Sequence, residues 1–158
     1  MPAVSLDQLS IFEGFSSDQL ELLQPLFTIC EQQDGDVLFQ QGETAGYLYF
    51  LVQGEAVVRY KPDDGPWLTV ARIHPEGVLG WSAALGSPLY TSSGICTTDS
   101  ILLRISNVNL RRLCEEHPLT GSLVLERLAT MIAQRLRNTH SYVIALLEQG
   151  LGTRIQNP

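Results

Sequence analysis

The residues of this chain with the potential for chemistry gather between Gly80 and Ser93. Gly80-Trp81-Ser82-Ala83-Ala84 is one substitution away from Gly-x-Ser-x-Gly, the elbow that presents a nucleophilic serine. That elbow needs a buried strand before it and a helix after it in an α/β sheet, and the serine needs an acid and a histidine. Asp99 with His117 or His140 is the candidate set that chain order offers. The surroundings read as all-β, so an esterase-like hydrolase stands only as a remote alternative. His74, His117 and His140 have no pairwise ligand spacing, and Cys30, Cys96 and Cys114 form no Cys-x-x-Cys. No metal site is expected. The three cysteines read as reduced thiols in the core of a cytoplasmic protein, and His74, just before Pro75, as a turn residue.

Charge narrows the partners. The 158 residues carry 10 basic against 17 acidic side chains, a net charge of −7. Gripping a phosphate backbone takes a basic face. Arg111, Arg112, Arg127, Arg135 and Arg137 cluster in the last third, and they read as a solvated helix face. Hydrophobic residues at 44% and charged residues at 17% describe an ordinary globular domain, large enough to bury a core without metal or disulfides. No apolar run approaches the ~18 residues of a membrane span, and Met1 to Ser10 lacks the basic and apolar regions of a signal peptide. A cytoplasmic protein, with no membrane partner, is the expectation.

Three kinds of element have to position these residues. Ser5 caps a short turn through Leu9, and Ser16 or Ser17 caps a helix from Asp18 to Gln24 that Pro25 closes. From Leu26 to Ile105, strand-like runs alternate with punctuation: Leu26–Cys30, Val37–Gln40, Tyr47–Val52, Ala56–Tyr60, Trp67–Ile73, Tyr90–Thr97 and Ile101–Ile105. Short strands with turn signals at this spacing mean a sandwich or roll. Gly80 to Gly86 breaks the alternation and reads as one short helical turn, Trp81–Leu85. After Ile105 the period is helical. Ser106 caps Asn107 to Glu116, and Pro118 opens a long helix to Glu148 with an apolar stripe. That helix, roughly 46 Å at 1.5 Å per residue, outruns the roll. Its apolar end, Tyr142 to Leu147, asks for a partner, most simply a second copy; the other solution is a break near Asn138-Thr139 and a fold back.

Asp34-Gly35-Asp36-Val37-Leu38-Phe39-Gln40-Gln41-Gly42-Glu43, continued by Tyr49-Phe50-Leu51-Val52-Gln53-Gly54-Glu55-Ala56-Val57-Val58, resembles the cyclic-nucleotide-binding domain family, in its branch of catabolite-activator and fumarate–nitrate-regulator sensory domains. The resemblance runs from about Phe12 to about Leu147. It takes in Ile11-Phe12-Glu13-Gly14-Phe15 and Ile73-His74-Pro75-Glu76-Gly77-Val78-Leu79-Gly80. It implies a mainly-β antiparallel roll of eight strands (a jelly-roll-like double-stranded β-helix) with flanking helices and a long dimerisation helix. The expected layout is one domain over 1–149, with helices at 5–24, the roll at 26–105 and C-terminal helices at 107–148, then a tail at 150–158. It also implies a non-enzymatic regulatory module. Haem-sensing relatives carry a histidine just after the position of Gly80, and iron–sulfur relatives an N-terminal cysteine cluster; this chain has neither.

In the family a glutamate after the glycine takes the ribose hydroxyl, and an arginine some residues later pairs with the cyclic phosphate. Here Trp81 stands at the glutamate position, and the arginine position falls at Thr91. Without a cation the phosphate forfeits a charge-assisted bond worth roughly 1.5–3 kcal/mol. The candidate site is therefore Gly80, Trp81, Ser82, Ala83, Ala84, Thr91, Ser92 and Ser93. Hydroxyls and N–H groups from Ser82 to Leu85 would hold a cyclic nucleotide or another small polar ligand, with Trp81 stacking on a base or filling the space; no cofactor is required. The alternative is a ligand-free dimerisation or protein-interaction scaffold. The candidate dimer face is Leu128, Met131, Ile132, Arg135, Thr139, Tyr142, Val143 and Leu146. Family regulators continue past the long helix into a helix-turn-helix domain. Few residues follow Glu148, so DNA reading by this chain alone is not expected.

Overall fold

The computed structural model describes residues 4–151, and within the last helix the side chains of 139, 142, 146, 149 and 151 lie outside that description. Eight strands form: β1 (Phe27–Gln32), β2 (Val37–Phe39), β3 (Tyr47–Gln53), β4 (Ala56–Tyr60), β5 (Leu68–Ile73), β6 (Val78–Leu79), β7 (Ser93–Cys96) and β8 (Ser100–Ser106). All pair antiparallel in two four-stranded sheets, ordered β1-β8-β3-β6 and β2-β7-β4-β5. Consecutive strands mostly change sheet, which winds the chain into a roll instead of a flat meander. The changes of direction rest on left-handed glycines. At Gly54 (φ +100°) a Cβ would lie 2.7 Å from the Asp99 carbonyl, so the β3–β4 turn admits no side chain.

The two central strands of the first sheet, β3 and β8, are buried on both faces. From β3 and β8, Leu48, Phe50, Leu103 and Ile105 face the helices, where they meet Phe12, Leu23, Leu113 and Leu128. Tyr49, Leu51 and Leu102 face the second sheet, where they meet Phe39, Ala56, Val58 and Cys96. Two-sided burial explains why Tyr47 to Val52 reads as an unbroken apolar run.

The helices differ from expectation in detail. The N-terminal region is two 3-10 turns, Leu6–Gln8 and Ser10–Phe12, then α1 (Ser17–Leu23) with a Ser16–Gln19 capping box. Ser5 makes no side-chain cap bond. Pro25 does not end a helix but sits inside a 3-10 turn, Gln24–Leu26, because its fixed φ suits that turn as well. α2 (Asn107–Glu116) begins at its Ser106 cap, whose hydroxyl accepts from the Asn109 N–H at 3.0 Å. α3 (Pro118–Leu151) passes through Asn138 and Thr139 without a break. Gly150 and Leu151 belong to that helix, not to a tail; the rest of the expected tail, 152–158, lies outside the described residues. Three runs shrink: Gln40 falls outside β2, Trp67 outside β5, and Tyr90 to Ser92 and Thr97 outside β7. No helix among the described residues is long and apolar enough to cross a membrane.

Phe50→Ala removes a ring that meets both Phe12 and Phe27. We expect a loss of about 3–5 kcal/mol in urea unfolding. Trp67→Ala, at an exposed position, should stay within about 0.5 kcal/mol.

Candidate functional site

Gly80 follows β6 in a left-handed conformation (φ +76°), and a Cβ there would lie 2.8 Å from the Tyr47 carbonyl. The glycine releases the chain into a 3-10 turn, Trp81–Ala83, shorter than the expected Trp81–Leu85. The N–H groups of Ala83, Ala84 and Leu85 bond to the carbonyls of Gly80, Trp81 and Trp81. Three of the four expected ligand-binding donors, Ala83 to Leu85, are thus already used inside the turn. Ser82 is buried, and its Oγ lies 3.4 Å from the Thr91 Oγ1. Ser93 is also buried, its Oγ accepting from the Gln41 N–H at 2.8 Å. Ser92 is half-buried and Thr91 exposed. Among the described residues no hydrogen bond joins Ser82 to Asp99, His117 or His140, the set that the hydrolase alternative names. Thr91 is the side-chain partner of Ser82 among the described residues, Asp99 accepts from the Asp34 N–H, and His117 sits at the end of α2.

Aromatic rings fill the space in front of this turn. Phe39 stacks on Tyr90 at 4.3 Å between centroids and on Tyr49 at 5.8 Å. The Tyr90 hydroxyl donates to the Tyr47 carbonyl at 2.6 Å and accepts from the Tyr47 N–H at 2.9 Å, while burial raises its pKa. A Cβ on Gly94 would come within 2.6 Å of the Phe39 ring. Arg104 on β8 stacks on Tyr47, its guanidinium carbon 4.1 Å from the ring centroid, and its buried Nε has no hydrogen-bond partner among the described residues.

Trp81 points elsewhere. It packs against the helix-side core, and the Arg135 guanidinium of α3 lies 4.9 Å from its ring centroid. Arg135 Nη1 donates to the Val78 carbonyl. One arginine thereby ties α3 to the end of β6 and to the residue that follows Gly80. Burial pulls the pKa of this guanidinium down. Among the described residues the ion pair found is Arg72 with Glu55, so no carboxylate pairs with Arg135. Beside Arg135 a groove of about 810 Å³ runs between β5, the turn from His74 to Val78, and α3, with Val70, Ala71, Ile73 and Met131 supplying apolar wall. None of the eight residues expected to bind ligand lines it.

The family model described as "cyclic nucleotide-binding domain" matches residues 30–117, more than half of the chain. The chain belongs to the cyclic nucleotide-binding domain family. Solved structures carry the same fold. A cyclic nucleotide-binding domain from Methylobacillus flagellatus is 19% identical (TM-score 0.79), the match covering 88% of this chain and 78% of that one. The c-di-GMP-responsive global regulator CLP of Xanthomonas campestris is 18% identical (TM-score 0.73), covering 84% and 65%. The catabolite activator protein of Thermus thermophilus is 24% identical (TM-score 0.70), covering 86% and 62%. The match thus spans less than two thirds of the last two proteins. No curated protein matches.

The faces of α3 in this cyclic nucleotide-binding domain are rotated from the expected dimer face. Leu128 is buried in the protomer's own core, Met131 packs on that core, and Arg135 is turned to Val78 and Trp81. Ile132 is half-buried and Val143 exposed; the side chains of Thr139, Tyr142 and Leu146 lie outside the described residues. Among the described residues of α3 the exposed large apolar side chains are Leu119 at its start, then Leu125, Leu136, Val143, Ile144 and Leu147. With Ile132, the residues Leu125, Leu136 and Val143 recur at steps of seven, four and seven, the a/d spacing of a coiled-coil seam, and Ile144 and Leu147 lie to one side of it. Leu136 was in the sequence's apolar stripe but not in the expected face. The groove residues were missed because Val70 and Ala71 look like any strand interior until α3 is laid beside them.

The Arg135–Trp81 contact is tested by a double-mutant cycle of Arg135→Met and Trp81→Leu in urea unfolding. We expect a coupling of about 0.5–1 kcal/mol, and Arg135→Met alone to cost about 1–3 kcal/mol. Additive losses would show that the two side chains act separately.

Proposed function

We propose that this chain is a non-enzymatic sensory or regulatory module that dimerises through α3, and that it does not hold cAMP or cGMP in the manner the family resemblance implies. The observation that carries this reading is the Arg135 tie: the helix that offers the outward apolar seam is the helix bonded to the turn beside Gly80. A ligand that favours one position of α3 over another then changes what the seam presents to a second copy or to a protein partner. Differential affinity is the whole of the mechanism, because a ligand indifferent to α3 shifts nothing. The absence of a cation at Thr91, the three N–H groups of Ala83 to Leu85 spent within the turn and the Phe39–Tyr90 stack all speak against a phosphate in front of Gly80.

The filled roll also favours a second reading, a scaffold that dimerises with no ligand. The two part on ligand-linked stability, since anything that binds only the native state raises its melting temperature. We expect cAMP and cGMP at millimolar concentration to shift Tm by less than about 1 °C; a rise of several degrees contradicts the site reading. In sedimentation equilibrium the chain should behave as a dimer, and Leu136→Glu should weaken dimerisation by at least about tenfold with circular dichroism unchanged. A monomeric parent chain overturns the α3 reading.

A further inference from the structure

We infer that the groove between β5 and α3 is a binding site for a small organic anion, an apolar body bearing one carboxylate or phosphate, with Arg135 as its counter-charge. The volume, about 810 Å³, lies within the roughly 300–1,000 Å³ of small-molecule sites. Val70, Ala71, Ile73 and Met131 give it apolar walls, as such sites require. Its cations are unequal. Arg72 is already paired with Glu55 at 3.2 Å. Arg135 has no carboxylate partner among the described residues, and Nη1, turned to the Val78 carbonyl, is the one nitrogen of its guanidinium with a hydrogen bond among them. An arginine presents a fork of five N–H donors suited to a carboxylate or phosphate. Glu76 also borders the groove, with its Oε1 engaged by the Ser10 N–H at 2.8 Å, and His74 completes the titratable groups of that wall.

The inference deepens the regulatory reading of α3 and rests on it. An anion that draws the guanidinium into the groove pulls it away from the Val78 carbonyl and the Trp81 ring, and so trades the tie that positions α3 for a contact with ligand. Occupancy and helix position are then linked by one side chain, the differential interaction that a sensor needs.

The test uses Trp81 as reporter. In the Trp67→Phe chain, Trp81 is the remaining tryptophan. Octanoate, octyl phosphate and octan-1-ol are titrated separately while its emission is followed. We expect saturable shifts with octanoate, octyl phosphate or both, and binding of octan-1-ol weaker by at least about tenfold, the worth of one charge-assisted bond. The two anions compared show which headgroup the site takes. Arg135→Met should bring the preferred anion down to the affinity of the alcohol. Met131→Trp, read by calorimetry, should block binding by filling the groove while leaving Arg135 in place. Equal affinity for alcohol and anions, or no saturable response, overturns the site. The regulatory reading fails separately: saturable anion binding with no change in the dimer dissociation constant establishes the site and removes its link to α3.

Discussion

The elements of this domain are organised around two adjacent strands, β3 and β8, that are buried on both faces. β3 and β8 bury Leu48, Phe50, Leu103 and Ile105 beneath the helices and Tyr49, Leu51 and Leu102 beneath the second sheet. A pair of strands so enclosed leaves little freedom for register, since a one-residue slip exchanges the two cores. The N-terminal turns, α2 and the first half of α3 are held on one side of it. The aromatic stack of the roll is held on the other.

Function follows from which side each residue takes after Gly80. Trp81 turns to the helix side and Ser82 toward Thr91, so one short turn touches both cores. Where the family resemblance implies a glutamate for a ribose, this chain has an indole packed beneath an arginine of α3. The proposed ligand chemistry lies accordingly at the seam between roll and helix and not in the roll interior. There the apolar groove and the guanidinium without a carboxylate partner lie side by side.

Much of this was legible in the residues. The alternation of strand-like runs with glycine turns, the Ser106 cap and Pro118 at the head of α3 all reflect local rules, and local rules survive folding. That Trp81 and Thr91 carry no charge where the family resemblance implies a glutamate and an arginine is read from the residues themselves. The direction of Trp81 was not legible, because a tryptophan after a glycine fits either core. Nor was the role of Arg135: its neighbours in sequence make it one of several arginines on a helix, and only the packing of α3 brings it to Val78. Which face of α3 is exposed was not legible either, for a related reason. Leu128 and Leu136 look equivalent in a stripe, yet the roll buries the first and leaves the second exposed.

Hydrogen exchange resolved by peptide addresses the coupling between roll and helix without any ligand. Exchange reports local opening, and two segments that share one tie must open together. In the Arg135→Met chain, amides of the turn from His74 to Trp81 and of α3 from Leu128 to Asn138 should lose protection together while β3 and β8 keep theirs. If the turn and α3 exchange as they do in the parent chain, Arg135 does not join them, and the picture of α3 as the carrier of a signal from the roll is wrong.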